Sequence, residues 1–434
     1  MDLKNRNICI KLLEEAFESS SFINDIVSNY FYKNNLDTKS KKNISNMLFG
    51  TTRMKGKYDY ILSNIYNGKY SSIKPKLKNI LRLACYQIDK MDSVPDHAAV
   101  STFVEITKKK MFGYQNLVNA LLRKFITIKN DYAFDIENKK TFGALSHPDW
   151  LLDKWIGNLG LKKAVKICKY NNQAPVIWFR INDFKKTKFI LEIIKKMNLK
   201  FDFHKLDDSY FKVTSPFNLI DSSLFKDGAI TIQNPLNGSI VKLLDPKNNE
   251  VIIDGCSAPG GKGVLLSLLA PNAEIFSIDN NKKRMDKVVE SIKRHKITNL
   301  KPLVLDMTSD TLPMANKILI DVPCSGTGVI NRRVDLRWKR SLNDIEKSSS
   351  IQYNILDNAS RFLLNRGVIV YSTCSIEKEE NINVVKKFLD DNKNFIVEDA
   401  SDFVNDKIVE NKIINVLPGD YDLDGGFAVR LRKI

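Results

Sequence analysis

The sequence predicts a multidomain chain: an all-α N-terminal domain over residues 1–140, a small α+β connector over 141–235, and a C-terminal α/β domain over 236–434 with a Rossmann-like, doubly wound sheet. Three observations carry this. The first third spaces its apolar residues three and four apart, with no convincing period-two run. From about residue 236, five β-rich stretches alternate with helical ones. The polar signatures of that last part fall where its β-rich stretches end.

In the N-terminal third, "RNICIKLLEEAFE", "KKNISNMLFGTTRM", "KPKLKNILRLACYQIDKM", "PDHAAVSTFVEITKKKM" and "YQNLVNALLRKFITIK" have helical periodicity, broken at Pro75, Pro95 and Gly113. This part holds 24 Lys and Arg against 14 Asp and Glu, +10 of a net +18. Such a charge points to a polyanionic partner, nucleic acid ahead of a membrane surface, because no strongly apolar amphipathic anchor accompanies it. The many Asn, Ile and Lys residues offer a blander source for the charge, an AT-rich genome. No stretch is long and apolar enough to span a bilayer, and "MDLKNRNICIKLLEE" places acids where a signal peptide needs an apolar run, so a soluble cytoplasmic protein is expected.

The joint "LSHPDWLLDKWIGNLG" leads into the connector. There "APVIWFRIN" and "KFDFHKLDDSYFKV" suggest short strands around the helix "KKTKFILEIIKKMN", with Trp, Phe and Arg side chains that could stack on bases. In the last domain "EVIIDGCSA", "AEIFSIDN", "KPLVLDM", "NKILIDVPC" and "RGVIVYSTC" are nearly continuous apolar strands, the pattern of a parallel sheet covered on both faces. Ligands of such a sheet lie at the carboxyl ends of its strands. "NFIVEDA" and "GFAVRLRKI" are expected to close one edge as an antiparallel hairpin.

The first of these strand ends is "DGCSAPGGKG", Asp254 to Gly263, a glycine loop that opens a helix. A Walker A loop would need glycine at 256 and Ser or Thr at 263, where Cys256 and Gly263 stand, and the GxGxxG dinucleotide pattern is absent. Asp279 ends the second strand, 25 residues after Asp254, near the spacing at which an acid takes ribose hydroxyls, and Asp306 ends the third, where it could accept from an adenine amino group. An adenosine ligand without a pyrophosphate fits best, and S-adenosylmethionine is such a cofactor.

Cysteines stand at 9, 85, 168, 256, 324 and 374, with no CxxC pair, so a zinc site and a disulfide framework are not expected. Cys324, in "LIDVPCSGTGVINRR", and Cys374, in "VIVYSTCSIEKEEN", each follow a strand. Two thiols at neighbouring exits suit methylation of pyrimidine carbon 5, a poor nucleophile until a thiolate adds to carbon 6; a second group must then help the thiolate leave. Asp321, three residues before Cys324, can face the base edge, and Lys262 can hold Asp321 or a phosphate.

"DGCSAPGGKG", "DVPCSGTGV" and "STCSIEKEEN" resemble the signature loops of the Nop/Sun family of RNA (cytosine-5)-methyltransferases. "ILRLACYQIDKMDSVPDHAAVSTFVEI" with "NLVNALLRKF" resembles the NusB-like helical domain joined to them in the family's bacterial small-subunit rRNA branch. The resemblance covers nearly the whole chain. It implies that Cys374 is the nucleophile and Cys324 the aid to product release, and that the cofactor contacts are Cys256, Ser257, Ala258, Pro259, Gly260, Gly261, Lys262, Asp279, Asp306 and Asp321. It also implies 16S rRNA as the substrate, with no metal and no membrane partner. Departures from the family pattern are Gly255 and Ser257 in place of Ala, Gly263 in place of Thr, and "DGGFAVRL" in place of the commoner "DGFF". Two other readings stand beside this one: a tRNA cytosine-5 methyltransferase, and a non-catalytic RNA-binding or ribosome-assembly factor.

Overall fold

The structure, a computed structural model, describes residues 3–92 and 94–434; Met1 and Asp2, at the head of the opening stretch, and Ser93 lie outside the described residues. The chain forms two compact units, Met1–Ala174 with Ile330–Lys339, and Pro175–Val329 with Arg340–Ile434.

The first unit is helical among its described residues: α1 (Leu3–Glu18), α2 (Ile23–Lys33), α3 (Thr38–Ile65), α4 (Pro75–Lys90), α5 (Asp96–Lys110), α6 (Gln115–Ile128), α7 (Asp149–Leu159) and α8 (Leu161–Asn171). Starts follow local chemistry. Asp37 caps α3 by accepting from the Ser40 amide, and Pro75 occupies the first turn of α4, where its missing N–H costs nothing. The apolar stripes of α1, α3, α4, α5 and α6 meet in one core containing Leu12, Leu48, Ile61, Leu81, Phe103 and Phe125. Into this unit is threaded Ile330–Lys339, whose Arg337 is almost fully buried. Its guanidinium donates to the carbonyl oxygens of Ser146 (3.0 Å) and Asn171 (2.9 Å) and to Asn172 Oδ1 (2.7 Å). Asp335 accepts from the Ile23 amide at 2.8 Å, and Trp338 Nε1 donates to the Thr52 carbonyl at 2.8 Å.

The second unit begins with an antiparallel sheet in the order β2-β3-β1-β4, formed by β1 (Phe179–Ile181), β2 (Phe201–His204), β3 (Asp207–Val213) and β4 (Ile230–Ile232), with α9 (Thr187–Lys196) between the first two. Trp178, Phe179 and Arg180, whose rings and guanidinium the sequence offered to RNA bases, are buried at 2%, 0% and 1% exposure and face the interior. Successive side chains of a strand point to opposite faces, so burial of all three means that β1 is covered on both.

The large sheet runs β11-β12-β13-β9-β8-β5-β6-β7. Its members are β5 (Val251–Gly255), β6 (Glu274–Ile278), β7 (Leu300–Leu303), β8 (Ala315–Asp321), β9 (Leu363–Thr373), β11 (Val409–Glu410), β12 (Ile413–Val416) and β13 (Gly426–Lys433), with β10 (Phe395–Val397) paired to β13. The five predicted strands β5 to β9 are mutually parallel. The predicted edge pair does lie antiparallel as β10 and β13, but β11 and β12 intervene in the chain, so the pair is not a hairpin, and β13 pairs directly with β9. Register aligns the strand ends: Gly255 lies opposite Ile278 and Ile320, and Asp321 opposite Ser372. The loops after β5, β6, β8 and β9 therefore leave one edge of the sheet together.

Among the described residues no helix is long and apolar enough to cross a membrane.

Candidate active site

The glycine loop leaves β5 at Gly255, passes Cys256 in a left-handed conformation (φ 56°), and enters the helix Gly261–Leu269 through Gly260 at φ 98°. Asp279, 3% exposed, holds the loop in place: its Oδ2 accepts from the Ala258 amide at 3.3 Å and meets Arg284 at 3.3 Å, while Oδ1 accepts from the Asn281 amide at 3.1 Å. Arg284 also donates to the Ala258 carbonyl at 2.9 Å. Asp306 takes both the amide (2.8 Å) and the hydroxyl (2.7 Å) of Thr308 on Oδ1, bonds that hold its carboxyl below the usual range.

Asp254 is fully buried beneath the loop, and burial, only partly offset by Lys262, pushes its carboxyl up to about 7. The departure at Gly263 is explained here. A Cβ at that position would sit 2.7 Å from Asp254 Oδ2, so a side chain there would displace the carboxylate.

On the opposite side of the loop Lys262 Nζ donates to Asp321 Oδ2 at 2.6 Å, and Ser372 Oγ donates to Asp321 Oδ1 at 3.0 Å, the latter a direct result of the Asp321–Ser372 register. Lys262 thus meets Asp321, the first of its two expected partners. Three residues on, Cys324 Sγ lies 3.1 Å from Cys374 Sγ. Both cysteines are partly exposed. The Cys324 thiol is raised well above its ordinary value, first by its hydrogen bond with Cys374, then by burial, by the charge of Cys374, and by the carboxylates of Glu380 and Asp321. Cys9, Cys85 and Cys168 are buried in the helical unit, as small apolar residues are. Cys256 has its thiol raised chiefly by burial.

The sequence reading missed Glu380, at 0% exposure, which joins the two cysteine loops. Its Oε1 accepts from the Ser325 amide at 2.7 Å and its Oε2 from Ser325 Oγ at 2.5 Å and from Ser375 Oγ; Gln352 Nε2 donates to Oε1 at 3.2 Å. The Gly328 amide also donates to the Cys374 carbonyl at 3.0 Å, and the Gly425 amide to the Gly328 carbonyl at 2.8 Å. A Cβ on Gly328 would stand 2.3 Å from the Gly425 oxygen, so only glycine permits this approach.

The model of the family described as 16S rRNA methyltransferase RsmB/F matches residues 241–432, that of the NusB family residues 3–127, and that of the RsmF/B-like ferredoxin-like domain residues 147–200. The C-terminal part of the chain thus resembles the RsmB/F methyltransferases. The probable ribosomal RNA small subunit methyltransferase B of Bacillus subtilis (strain 168) is 27% identical over 446 residues, covering 99% of this chain and 98% of its own. Ribosomal RNA small subunit methyltransferase B of Proteus mirabilis (strain HI4320) is 28% identical, covering 88% of this chain and 91% of its own. The crystal structure of PH0851 has a similar fold (TM-score 0.81, 22% identity, 100% of this chain and 99% of that one), as does NSun6 from Pyrococcus horikoshii with SFG (TM-score 0.59, 24% identity, 66% and 98%).

The likeness makes the protein a methyltransferase similar to the rRNA small-subunit enzymes, with S-adenosylmethionine as its cofactor. The loop fits that cofactor: Ser257 Oγ and Asp254 Oδ1 are buried polar atoms with no hydrogen-bond partner beside it, and its cations Lys262 and Arg284 are already paired with Asp321 and Asp279.

Proposed function

We propose that this enzyme methylates carbon 5 of a specific cytosine in 16S rRNA through a covalent bond between Cys374 and carbon 6. The observation that supports this best is the contact of two thiols at 3.1 Å beside the Lys262–Asp321 pair. Cys324, whose thiol resists ionisation, stands within hydrogen-bond reach of the Cys374 sulfur, the nucleophile as its thiolate. That thiolate adds to carbon 6 while N3 takes a proton from the Lys262–Asp321 pair, and carbon 5 becomes carbanion-like. S-adenosylmethionine would be held by the loop Cys256–Lys262, with Asp279 for the ribose and Asp306 for the adenine, and would supply the electrophilic methyl that carbon 5 takes as the methyl–sulfonium bond breaks. With Cys374 bound to carbon 6 as a neutral thioether, Cys324 gives its own proton to solvent and, as the thiolate, takes the carbon 5 proton. The released electron pair reforms the carbon 5–carbon 6 double bond and expels Cys374 as N3 returns its proton to the Lys262–Asp321 pair. The proposed division of labour is RNA engagement by residues 1–140 and chemistry by 236–434, with 141–235 between them.

Cys374→Ala should form no bond to RNA and lose methylation, whereas Cys324→Ala should transfer the methyl group and stall as an adduct. A denaturing gel of each variant with rRNA and S-adenosylmethionine should show a protease-sensitive retarded band for Cys324→Ala alone. A band from Cys374→Ala instead would reverse the roles, and full methylation by both variants would rule out covalent catalysis by these residues. Bisulfite sequencing of rRNA and tRNA from cells with and without the gene tests the substrate.

A further inference from the structure

Each cysteine is followed by a serine, Ser325 after Cys324 and Ser375 after Cys374, and both serines point their hydroxyls at the same buried carboxylate. We infer that Glu380 is a positioning residue for the methyl transfer: one carboxylate that sets the spacing of the two sulfurs by gripping the residue next to each. The rest of its surroundings fits a brace. Gln352, which donates to Glu380 Oε1, also donates to the Pro323 carbonyl at 2.9 Å, directly before Cys324. The Tyr371 hydroxyl donates to the Glu380 carbonyl, at 2.5 Å, from within β9. Ser325 Oγ and Ser375 Oγ are themselves 3.2 Å apart, and Thr327 Oγ1 lies 3.2 Å from Ser375 Oγ.

Among the described hydrogen bonds none joins Glu380 to Cys324 or Cys374, and its oxygens are occupied by donors from both loops, which fits a brace and not a proton carrier. Beyond Asp321 and Thr373 the loops that leave β8 and β9 share the backbone bonds Val322 N–H to the Ser372 carbonyl and Gly328 N–H to the Cys374 carbonyl, both at 3.0 Å, and neither of these holds Cys324 or Ser325. A full negative charge accepting several short hydrogen bonds in a dry interior is a strong way to fix it. A neutral side chain of the same length cannot accept all of these donors, since an amide has only one acceptor oxygen. The catalytic consequence rests on the covalent reading of Cys374, but the spacing itself does not.

The spacing can be read without any methylation, by treating the full-length protein with diamide, which oxidises two adjacent thiols to a disulfide and is itself reduced to the hydrazine. Mass spectrometry of the peptides then gives the rate of Cys324–Cys374 coupling. Glu380→Gln and Ser375→Ala, milder than Glu380→Ala, should each couple more slowly than the parent. Their kcat should fall, roughly 10- to 100-fold for Glu380→Gln and less for Ser375→Ala, because misplacement of reacting groups by about 1 Å costs that much. S-adenosylmethionine affinity, measured by calorimetry, should stay within about twofold, as Glu380 makes no contact with the glycine loop or Asp279. Coupling and kcat at parental values in Glu380→Gln would overturn the inference, as would loss of cofactor affinity in step with kcat, which marks general damage. Slower coupling with parental kcat would uphold the brace and count against the covalent reading of the two thiols.

Discussion

Arg337 in the helical unit and Glu380 in the catalytic unit are both buried charges, yet neither is neutralised by a salt bridge among the described contacts. Arg337 is held by three carbonyl oxygens, those of Arg53, Ser146 and Asn171, and an amide oxygen, and Glu380 by an amide, two serine hydroxyls and a glutamine. The cation satisfies carbonyls at the ends of helices and turns, groups that are orphaned by helix geometry itself. The anion gathers side chains that had no backbone reason to meet. The first kind of centre completes a fold; the second positions chemistry. Burial acts on each in its own way. It lowers the Arg337 guanidinium to about 9, and the Glu380 charge in turn helps to raise the Cys324 thiol.

The comparison is broken most forcefully at Arg337. Arg337→Met keeps the apolar stem and strands the carbonyls of Ser146 and Asn171, at about 1–3 kcal/mol for each group left unpaired. Chemical denaturation should show the loss in the helical transition, with the cysteine-coupling rate of the catalytic unit unchanged; an unaltered midpoint would mean that water replaces the guanidinium at no cost. Next in size, Asp279→Ala removes the acceptor for the Ala258 amide and the acceptor proposed for the ribose, and S-adenosylmethionine should bind roughly 5- to 150-fold more weakly. Unchanged affinity in calorimetry would remove Asp279 from the cofactor site.

A third test reads a slope. Asp254 titrates near 7 when folded and near 3.8 when unfolded, so between those values the folded state holds the extra proton. Its contribution favours folding below about pH 4 and is lost as pH rises through about 7. Denaturation midpoints of the catalytic unit measured across that window should decline with pH, and Asp254→Asn should flatten the decline. An identical slope in Asp254→Asn would assign it to other groups.

Periodicity made α1 and α3 to α6 legible, since each buries one stripe against a common core, and apolar continuity made β5 to β9 legible. Helix α2 escaped because "INDIVSNYFYK" carries a weak stripe: only Ile23, Ile26 and Val27 are buried, and Tyr32 is 92% exposed. The short strands β11 and β12 escaped because two to four residues cannot display a period. Strand-end logic led to Asp279, Asp321, Lys262 and the two cysteines, all local to a motif. Glu380 stood in the quoted "STCSIEKEEN" but was indistinguishable there from its neighbours Glu377 and Glu379, because its partner Ser325 lies 55 residues away. Arg337 likewise depends on partners 165 and more residues distant.

Because Ile330–Lys339 is packed within the helical unit, that unit is discontinuous in the chain. A ribosome adding about 5–20 residues per second takes roughly 10–30 s to pass from Ala174 to this segment. Throughout that interval the amide of Ile23 and the carbonyls of Thr52, Ser146 and Asn171 await their donors and acceptor. The first part of the protein to be made is therefore among the last to be finished, and its completion reports that the strand bearing Asp321 and the loop bearing Cys324 have already been translated.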